Sequence, residues 1–268
     1  MNARVAIAGM GLHLPGYPNL AAWLSRTAQP GAAPSGALLD KHSRRRASDF
    51  TKGLADAYAE ALGAAQQVLA THGQESALRA DAVASVFGSA LGEVSTMISL
   101  LEQMWREGGA LSPMRFAGSV HNAAAGVVSI GSKNTGFTTS LGADHDTPAM
   151  SLIEAISLVA TRGEPVMVAC GDEAAPSDLV GGAFGWDALC CAVVLLPAET
   201  APATLTRLSV PELGEATLEP PELPDGFAHN PNAGLLDLIE LVAQGKSGRL
   251  RLDRGRGRGY CVDLTRTP

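Results

Sequence analysis

The chain has 268 residues, of which 46% are hydrophobic, 18% charged and 4% aromatic, and its formal net charge is −7. A chain of this length and apolar content can bury a sizeable core, and its composition is not that of a disordered protein. The negative charge and the scarcity of aromatic side chains argue against nucleic acid as a partner.

The first predicted element is a buried strand over residues 5–8, followed by a tight turn at Gly9-Met10-Gly11. Two glycines after a strand resemble the start of a dinucleotide-binding loop. That loop needs a third glycine at position 14, where this chain has Leu14, and Pro15 follows. A structural turn is therefore favoured, and no cofactor is expected.

The remaining residues up to Pro197 alternate between helix and strand patterns. Thr147 as a cap, Pro148 in the first turn and Gly163 at the end give the clearest helix signal. Alternation of this kind predicts an α/β sheet with helices on both faces. Helices are predicted at 49–70, 93–107, 147–162 and 230–244, and strands at 82–88, 137–142, 165–170 and 189–196.

After Pro197 the sequence becomes rich in Pro and Glu, which divides the chain into residues 1–197 and an extension of residues 198–268. The extension is predicted to hold a loop, a helix and a hairpin that pairs 249–252 with 260–264. About 70 residues are too few for an independent core, so we expect this extension to pack on the main domain.

The short apolar runs argue against a membrane protein, and the spacing of the cysteines argues against a metal-binding protein. The longest apolar run, residues 188–196, is far shorter than the roughly 20 residues that span a bilayer, and no signal peptide is evident. We therefore expect a cytoplasmic protein with no membrane partner. The four cysteines lack CxxC spacing, which predicts buried thiols and no metal site.

Five segments, in order, resemble the β-ketoacyl synthases. They are VAIAGMGLHLPG (5–16), Ser112-Pro113, SVHNAAAG (119–126), the strand and helix over 137–155, and VMVACGDEA (166–174). The resemblance implies a thiolase-like layered fold: a single half with a five-stranded mixed sheet and helices on both faces, plus the small C-terminal extension. The tetrapeptide 143–146 and the sequence DEAAP (172–176) are similar to short chain-length-factor-like proteins of aryl-polyene-type polyketide pathways.

The same resemblance implies that the chain is not a condensing enzyme. Such an enzyme needs a Cys thiolate at the elbow between a strand and a helix. The matching residues here contain no Cys: His145 takes its position, and Asp144 and Asp146 on either side would oppose a thiolate. The family's second half supplies the residues for decarboxylation, and we expect this chain to lack it.

His145 has two other interpretations. Together with His121 it could serve a self-standing hydrolase or acyltransferase that acts on acyl thioesters. The favoured interpretation is a capping site, in which Asp146 and Thr147 satisfy the free amides at the helix start.

The preferred functional hypothesis is a non-catalytic subunit that pairs with a full-length β-ketoacyl synthase in polyene or fatty-acid-like biosynthesis, as a heterodimer or heterotetramer. The strand over 137–142 would pair edge to edge with the partner, because an exposed apolar edge is a liability in a monomer. Met114, Phe116 and Val120 would limit the growing chain by their bulk. The resemblance places further tunnel or interface residues at His121, Asn122, Phe137 and Thr139.

Basic residues suggest a second partner. Residues 246–258 hold six Lys or Arg against one Asp, which is typical of either solvated turns or a docking site for an acidic protein. Solvated turns are favoured. An acidic acyl carrier protein is the alternative, with Arg254, Arg256 and Arg258 as its candidate contacts, and a homodimeric scaffold for that carrier is the third functional hypothesis.

Overall fold

The structure is a computed structural model that describes residues 4–107, 109–180 and 185–266. Helices and strands alternate along the chain, as the sequence predicts. No helix within these ranges is long and apolar enough to cross a membrane. The helices of the described residues are α1 (Leu20–Leu24), α2 (Lys41–Arg46), α3 (Asp49–Thr71), α4 (Val94–Glu102), α5 (Pro113–Ala117), α6 (Ala123–Gly131), α7 (Thr147–Arg162), α8 (Ser177–Val180), α9 (Asp225–Ala228) and α10 (Ala233–Ala243). The strands are β1 (Val5–His13), β2 (Ala84–Gly88), β3 (Thr138–Leu141), β4 (Val166–Asp172), β5 (Leu189–Pro197), β6 (Arg207–Leu208), β7 (Glu212–Leu213), β8 (Gly248–Arg251) and β9 (Tyr260–Thr265).

One mixed sheet organises these elements. Its order is β3-β2-β4-β5-β1, after which β6 and β7 lie along one side of β9 and β8 along the other. Strands β3, β2 and β4 are parallel to one another, and the other pairings are antiparallel. The mixed α/β fold class is confirmed, but the described residues form nine strands instead of five. The extension adds the other four because β6 pairs with the outer side of β1, which would otherwise be an apolar edge.

Helices cover both faces of the sheet, which confirms the layered prediction. Helices α3 and α6 pack on one face, and α7 and α10 pack on the other. The adjacent Cys190 and Cys191 point to opposite faces, as the two-residue period of a strand requires, and each joins a different core. All four cysteines are buried, as predicted.

The predicted turn at Gly9-Met10-Gly11 is wrong, because β1 continues through these residues to His13. The glycines serve close packing. A Cβ at Gly9 would overlap the carbonyl oxygen of Ala61, and one at Gly11 would overlap that of Ala57, both in α3. These glycines therefore allow the longest helix of the described chain to lie directly on the strand.

The extension shares the core of the main domain. Every residue of α10 from Ala233 to Val242 is buried, and the helix packs on the α7 side of the sheet. Gly234 lets this helix touch the end of β8, since a Cβ there would overlap the carbonyl oxygen of Leu252. The predicted hairpin is confirmed as β8 and β9, and the residues between these strands lie next to the predicted elbow.

Candidate functional site

The elbow is a tight connection between β3 and α7. Asp144, at φ = 50°, begins a 3₁₀ turn that leads directly into the helix. The hydroxyl of Thr147 accepts a hydrogen bond from the Ala143 N–H at 3.0 Å and donates one to the Asp144 carbonyl at 2.7 Å. The geometry is thus the strand–elbow–helix that the sequence predicts, held by Thr147.

The Asp146 side chain does not cap α7, so that part of the capping prediction is wrong. Its Oδ1 atom instead accepts a hydrogen bond from the backbone N–H of Arg258 at 3.0 Å. A Cβ at Gly257 would overlap the same carboxylate. The turn over residues 253–259 therefore packs against Asp146, and the hydrogen bond from Arg258 joins this turn to the elbow.

That turn is rigidly built around Asp253. Its carboxylate accepts hydrogen bonds from the N–H groups of Gly255 and Gly259 at 2.7 and 2.6 Å, and from Arg251 Nε at 2.6 Å. Together these hydrogen bonds lower the pKa of Asp253 against the opposing effect of its burial, which is the largest single influence. The carboxylate thus stays ionised at neutral pH and keeps the turn over the elbow.

His145 is half-buried and precedes Asp146, which contacts this turn. Burial is the main cause that lowers the pKa of its ring, and Arg256 lowers it further, whereas Asp144, Asp146 and Asp253 oppose the shift. The imidazole is therefore neutral at pH 7. His121 lies against Gly142 and 3.3 Å from the Ser89 carbonyl, but no hydrogen bond among the described residues joins it to His145. The geometry gives the hydrolase hypothesis no paired base and nucleophile.

The three arginines predicted to dock a carrier protein all make internal contacts. Arg254 forms two hydrogen bonds with the fully buried Asp237, at 2.7 and 3.0 Å, and only 14% of its side chain is exposed. As a docking residue Arg254 is therefore a wrong prediction, because its charge is used inside the protein. Arg256 donates to the Ala228 carbonyl, and Arg258 is 79% exposed and 3.8 Å from Asp146. Only these last two present charge to the surface.

A further buried carboxylate, that of Asp172 at the end of β4, has no role in the sequence-based predictions. It accepts hydrogen bonds from Ser89 Oγ, from the N–H groups of residues 90, 91 and 92, and from Asn232 Nδ2 at 2.6 Å. Burial raises its pKa, and these donors oppose the rise. Asp172 thus joins the end of β2 to the extension and fixes the backbone behind His121. The only sequence signal was an acidic residue closing a wholly apolar strand.

Among the described residues, β3 is the end strand of the sheet and has β2 as its one strand partner. The carbonyls of Phe137 and Leu141 accept hydrogen bonds from β2, so alternate residues face that neighbour. Thr138 and Ser140 therefore turn their backbone N–H and C=O groups outward. The predicted edge strand is present, but its residues are largely polar, and the exposed apolar side chains are concentrated in the part of the chain that precedes it.

The exposed large hydrophobic side chains are concentrated in one stretch of chain that ends at β3, and we call those of this stretch the apolar cluster. Seven of the ten exposed large hydrophobic side chains in the described residues lie between residues 101 and 137. The predicted Met114, Phe116 and Phe137 belong to it, Val120 and Thr139 beside them are half-buried, and His121 and Asn122 are exposed. The cluster comprises Leu101, Met104, Trp105, Met114, Phe116, Ile130 and Phe137. Trp105 lies in the helix predicted over residues 93–107, and 77% of this residue is exposed.

Comparison with known proteins identifies the fold. The model of the beta-ketoacyl synthase N-terminal domain matches residues 21–181. No curated protein matches the chain.

Several solved structures share the fold at low identity. The ketosynthase ApeO in complex with its chain length factor ApeC, from Xenorhabdus doucetiae, is 17% identical with a TM-score of 0.67 over 99% of this chain and 100% of that chain. The AntDE:AntF complex of a type II acyl-carrier protein with its ketosynthase is 12% identical with a TM-score of 0.68, covering 100% of both chains. The ishigamide ketosynthase/chain length factor is 16% identical with a TM-score of 0.58 over 76% of this chain and 65% of that chain. With its family model matched over more than half its length, the chain belongs to the β-ketoacyl synthase N-terminal domain family.

Proposed function

We propose that the chain is a non-catalytic, chain-length-factor-like subunit that pairs with an active β-ketoacyl synthase through β3 and the apolar cluster. The apolar cluster is the observation that carries this proposal. Single exposed hydrophobic side chains are ordinary on protein surfaces, but this one stretch of 37 residues, which ends at an open edge strand, holds seven of the ten in the described chain, and such a concentration favours an interface. A partner strand could pair with the outward backbone groups of Thr138 and Ser140 while its neighbours cover the apolar cluster.

The structural neighbours support the choice of partner. One neighbour is described as a ketosynthase in complex with its chain length factor, and a second as a ketosynthase/chain length factor. We place the subunit in a polyene or fatty-acid-like pathway of the aryl-polyene type, on the strength of the sequence resemblance alone.

The elbow supports the absence of catalysis. No Cys occurs between Leu141 and Pro148, where the half-buried, neutral His145 precedes Asp146, and Asp146 is held against the turn over residues 253–259. An acyl chain that approached this elbow would have to displace a turn fixed by Asp146 and Asp253. The subunit would then influence the product by steric bulk alone. The side chains of Met114, Phe116 and Val120 would line a tunnel shared with the synthase and limit the length of the acyl chain.

In this proposal an acyl carrier protein would contact two of the three candidate arginines, because Arg254 pairs with the buried Asp237. Arg256 and Arg258 are exposed on the turn and remain available for an acidic acyl carrier protein. Because both are solvent-exposed, we expect carrier binding to weaken as salt is added.

Co-expression with a full-length β-ketoacyl synthase from the same genome tests the proposal. We expect the two chains to co-elute in size-exclusion chromatography, with a light-scattering mass of a heterodimer or its dimer. Ser140→Pro removes an outward N–H of β3 and should abolish the complex, whereas Ser140→Val keeps that N–H and should not.

Two outcomes contradict the proposal. Separate elution of both chains would remove the synthase as a partner. A particle made of two copies of this chain, unchanged by added synthase, would support the homodimeric scaffold in its place.

A further inference from the structure

The start of the end strand β3 carries an aromatic ring with a cation stacked on it. Phe137 directly precedes β3 and is 39% exposed. The guanidinium carbon of Arg162, which lies in the last turn of α7, is 4.7 Å from the centre of the Phe137 ring. A guanidinium over an aromatic face is attracted to the ring, and this attraction holds the Arg162 side chain at this end of β3.

The charge of Arg162 is unmatched within the described part of the chain. The residue is exposed, and no carboxylate oxygen of the described residues lies within 4.0 Å of its nitrogens, whereas Arg251 and Arg254 each pair with an aspartate. A basic residue in the last turn favours the helix dipole, but that effect does not use the N–H groups. Stacking occupies the face of the guanidinium and leaves the N–H groups along its edge as a planar fork that matches a carboxylate.

The backbone of β3 determines which end of a partner strand meets Arg162. The carbonyls of Phe137 and Leu141 accept hydrogen bonds from β2, so the outward groups belong to Thr138 and Ser140. Two chains of one fold that pair through this strand across a two-fold axis run their strands antiparallel. The residue opposite Phe137 is then near the carboxyl end of the partner strand, and the segment after that end comes next to Arg162.

We propose that Arg162, held over Phe137, binds a carboxylate side chain at the carboxyl end of the synthase strand that pairs with β3. The contact rests on the proposed pairing with a synthase and adds a specific chemistry to it. An acidic group is required because an apolar partner surface would bury the charge of Arg162 unpaired. Arginine and aromatic residues are also enriched at the positions that contribute most to binding at interfaces.

Zero-length cross-linking tests the chemistry of this contact. A carbodiimide joins an amine directly to a carboxylate and does not couple arginine, so the Arg162→Lys variant gains a reactive amine at this place in its complex with a full-length synthase. Peptide mass spectrometry should identify a cross-link from position 162 to an Asp or Glu of the synthase. Arg4→Lys is the matched control: Arg4 is exposed and precedes β1, which β2, β4 and β5 separate from β3, so it should give no cross-link to the synthase.

Titration with the synthase measures what the contact contributes to binding. Arg162→Gln should weaken the complex about tenfold at low salt and should make its Kd less dependent on salt, because a charge pair at the rim of an interface is screened by ions. Arg4→Gln should change neither quantity. The unfolding temperature of the free Arg162→Gln chain should change little, since Arg162 has no ion pair among the described residues.

The outcomes separate a failure of this contact from a failure of the proposed function. If the wild-type chain forms no complex with the synthase, the proposed function fails and the contact fails with it. If the complex forms but Arg162→Gln leaves its affinity unchanged, or if cross-links from position 162 reach only carboxylates of this chain, the carboxylate contact is wrong while the proposed pairing stands.

Discussion

Arg254→Ala should destabilise the protein strongly, because Arg254 is the one basic residue of the described chain that pairs with the buried carboxylate of Asp237. Two hydrogen bonds of 2.7 and 3.0 Å join them, and the Asp237 side chain has no exposed surface. Removing one member of a buried ion pair leaves an uncompensated charge and costs about 3–5 kcal/mol. Arg258→Ala is the matched control: its side chain is 79% exposed and 3.8 Å from Asp146, so it should cost less than about 1 kcal/mol.

The destabilisation caused by Arg254→Ala should depend on pH, because Asp237 is titratable. Burial raises the pKa of Asp237 to about 6 even beside Arg254, and loss of the arginine should raise it further. A carboxyl whose pKa is higher in the folded state than in the unfolded state destabilises the fold when it is ionised, and the penalty is relieved as the pH falls through the folded-state pKa. The destabilisation by Arg254→Ala should therefore be large at pH 8 and smaller at pH 5.

Urea unfolding followed by circular dichroism at both pH values measures the effect for each variant. A variant at Arg254 that is no less stable than the one at Arg258, or a penalty as large at pH 5 as at pH 8, would refute the structural role of Arg254. The residue would then return to the set of candidate docking residues.

Three further predictions concern the interface, the elbow and the buried carboxylate. Trp105→Ser should weaken synthase binding at least tenfold in a titration without lowering the unfolding temperature, whereas Leu213→Ser, 61% exposed and outside the apolar cluster, should leave binding unchanged. His145→Cys should not be acylated by acyl thioesters, because the turn over 253–259 covers the elbow; a mass shift of one acyl group on that cysteine would contradict the account. Asp172→Asn should lower the free energy of unfolding by about 3 kcal/mol, because an amide NH₂ would face donors in place of an acceptor; an unchanged urea midpoint would disprove this.

The elements with strong local signals were predictable from the sequence. Helix α7 begins at Thr147 and ends at Arg162, just before Gly163 at φ = 68°, close to the bounds that Pro148 and Gly163 indicate. The wholly apolar β4 and β5 were equally clear. Two-residue strands such as β6 and β7 carry no periodicity, and the sequence therefore gave no sign that the extension would enlarge the sheet.

The contacts that define the elbow were beyond sequence reasoning because they join distant residues. Asp146 lies 112 positions from Arg258, and a local pattern could only suggest that its carboxylate caps the helix it precedes. Arg254 belongs to a basic run that is typical of surface charge, yet in the structure it pairs with Asp237 on α10. Tertiary packing overrides local preference at such positions.

Hydrogen–deuterium exchange at β3 tests the central claim most directly. In the free chain the outward amides of Thr138 and Ser140 have no strand partner, so they should exchange rapidly, while the amides directed at β2 are protected. In a complex with a full-length β-ketoacyl synthase, both outward amides should become protected along with the apolar cluster. A stable complex in which Thr138 and Ser140 exchange as fast as in the free chain would contradict pairing through this strand.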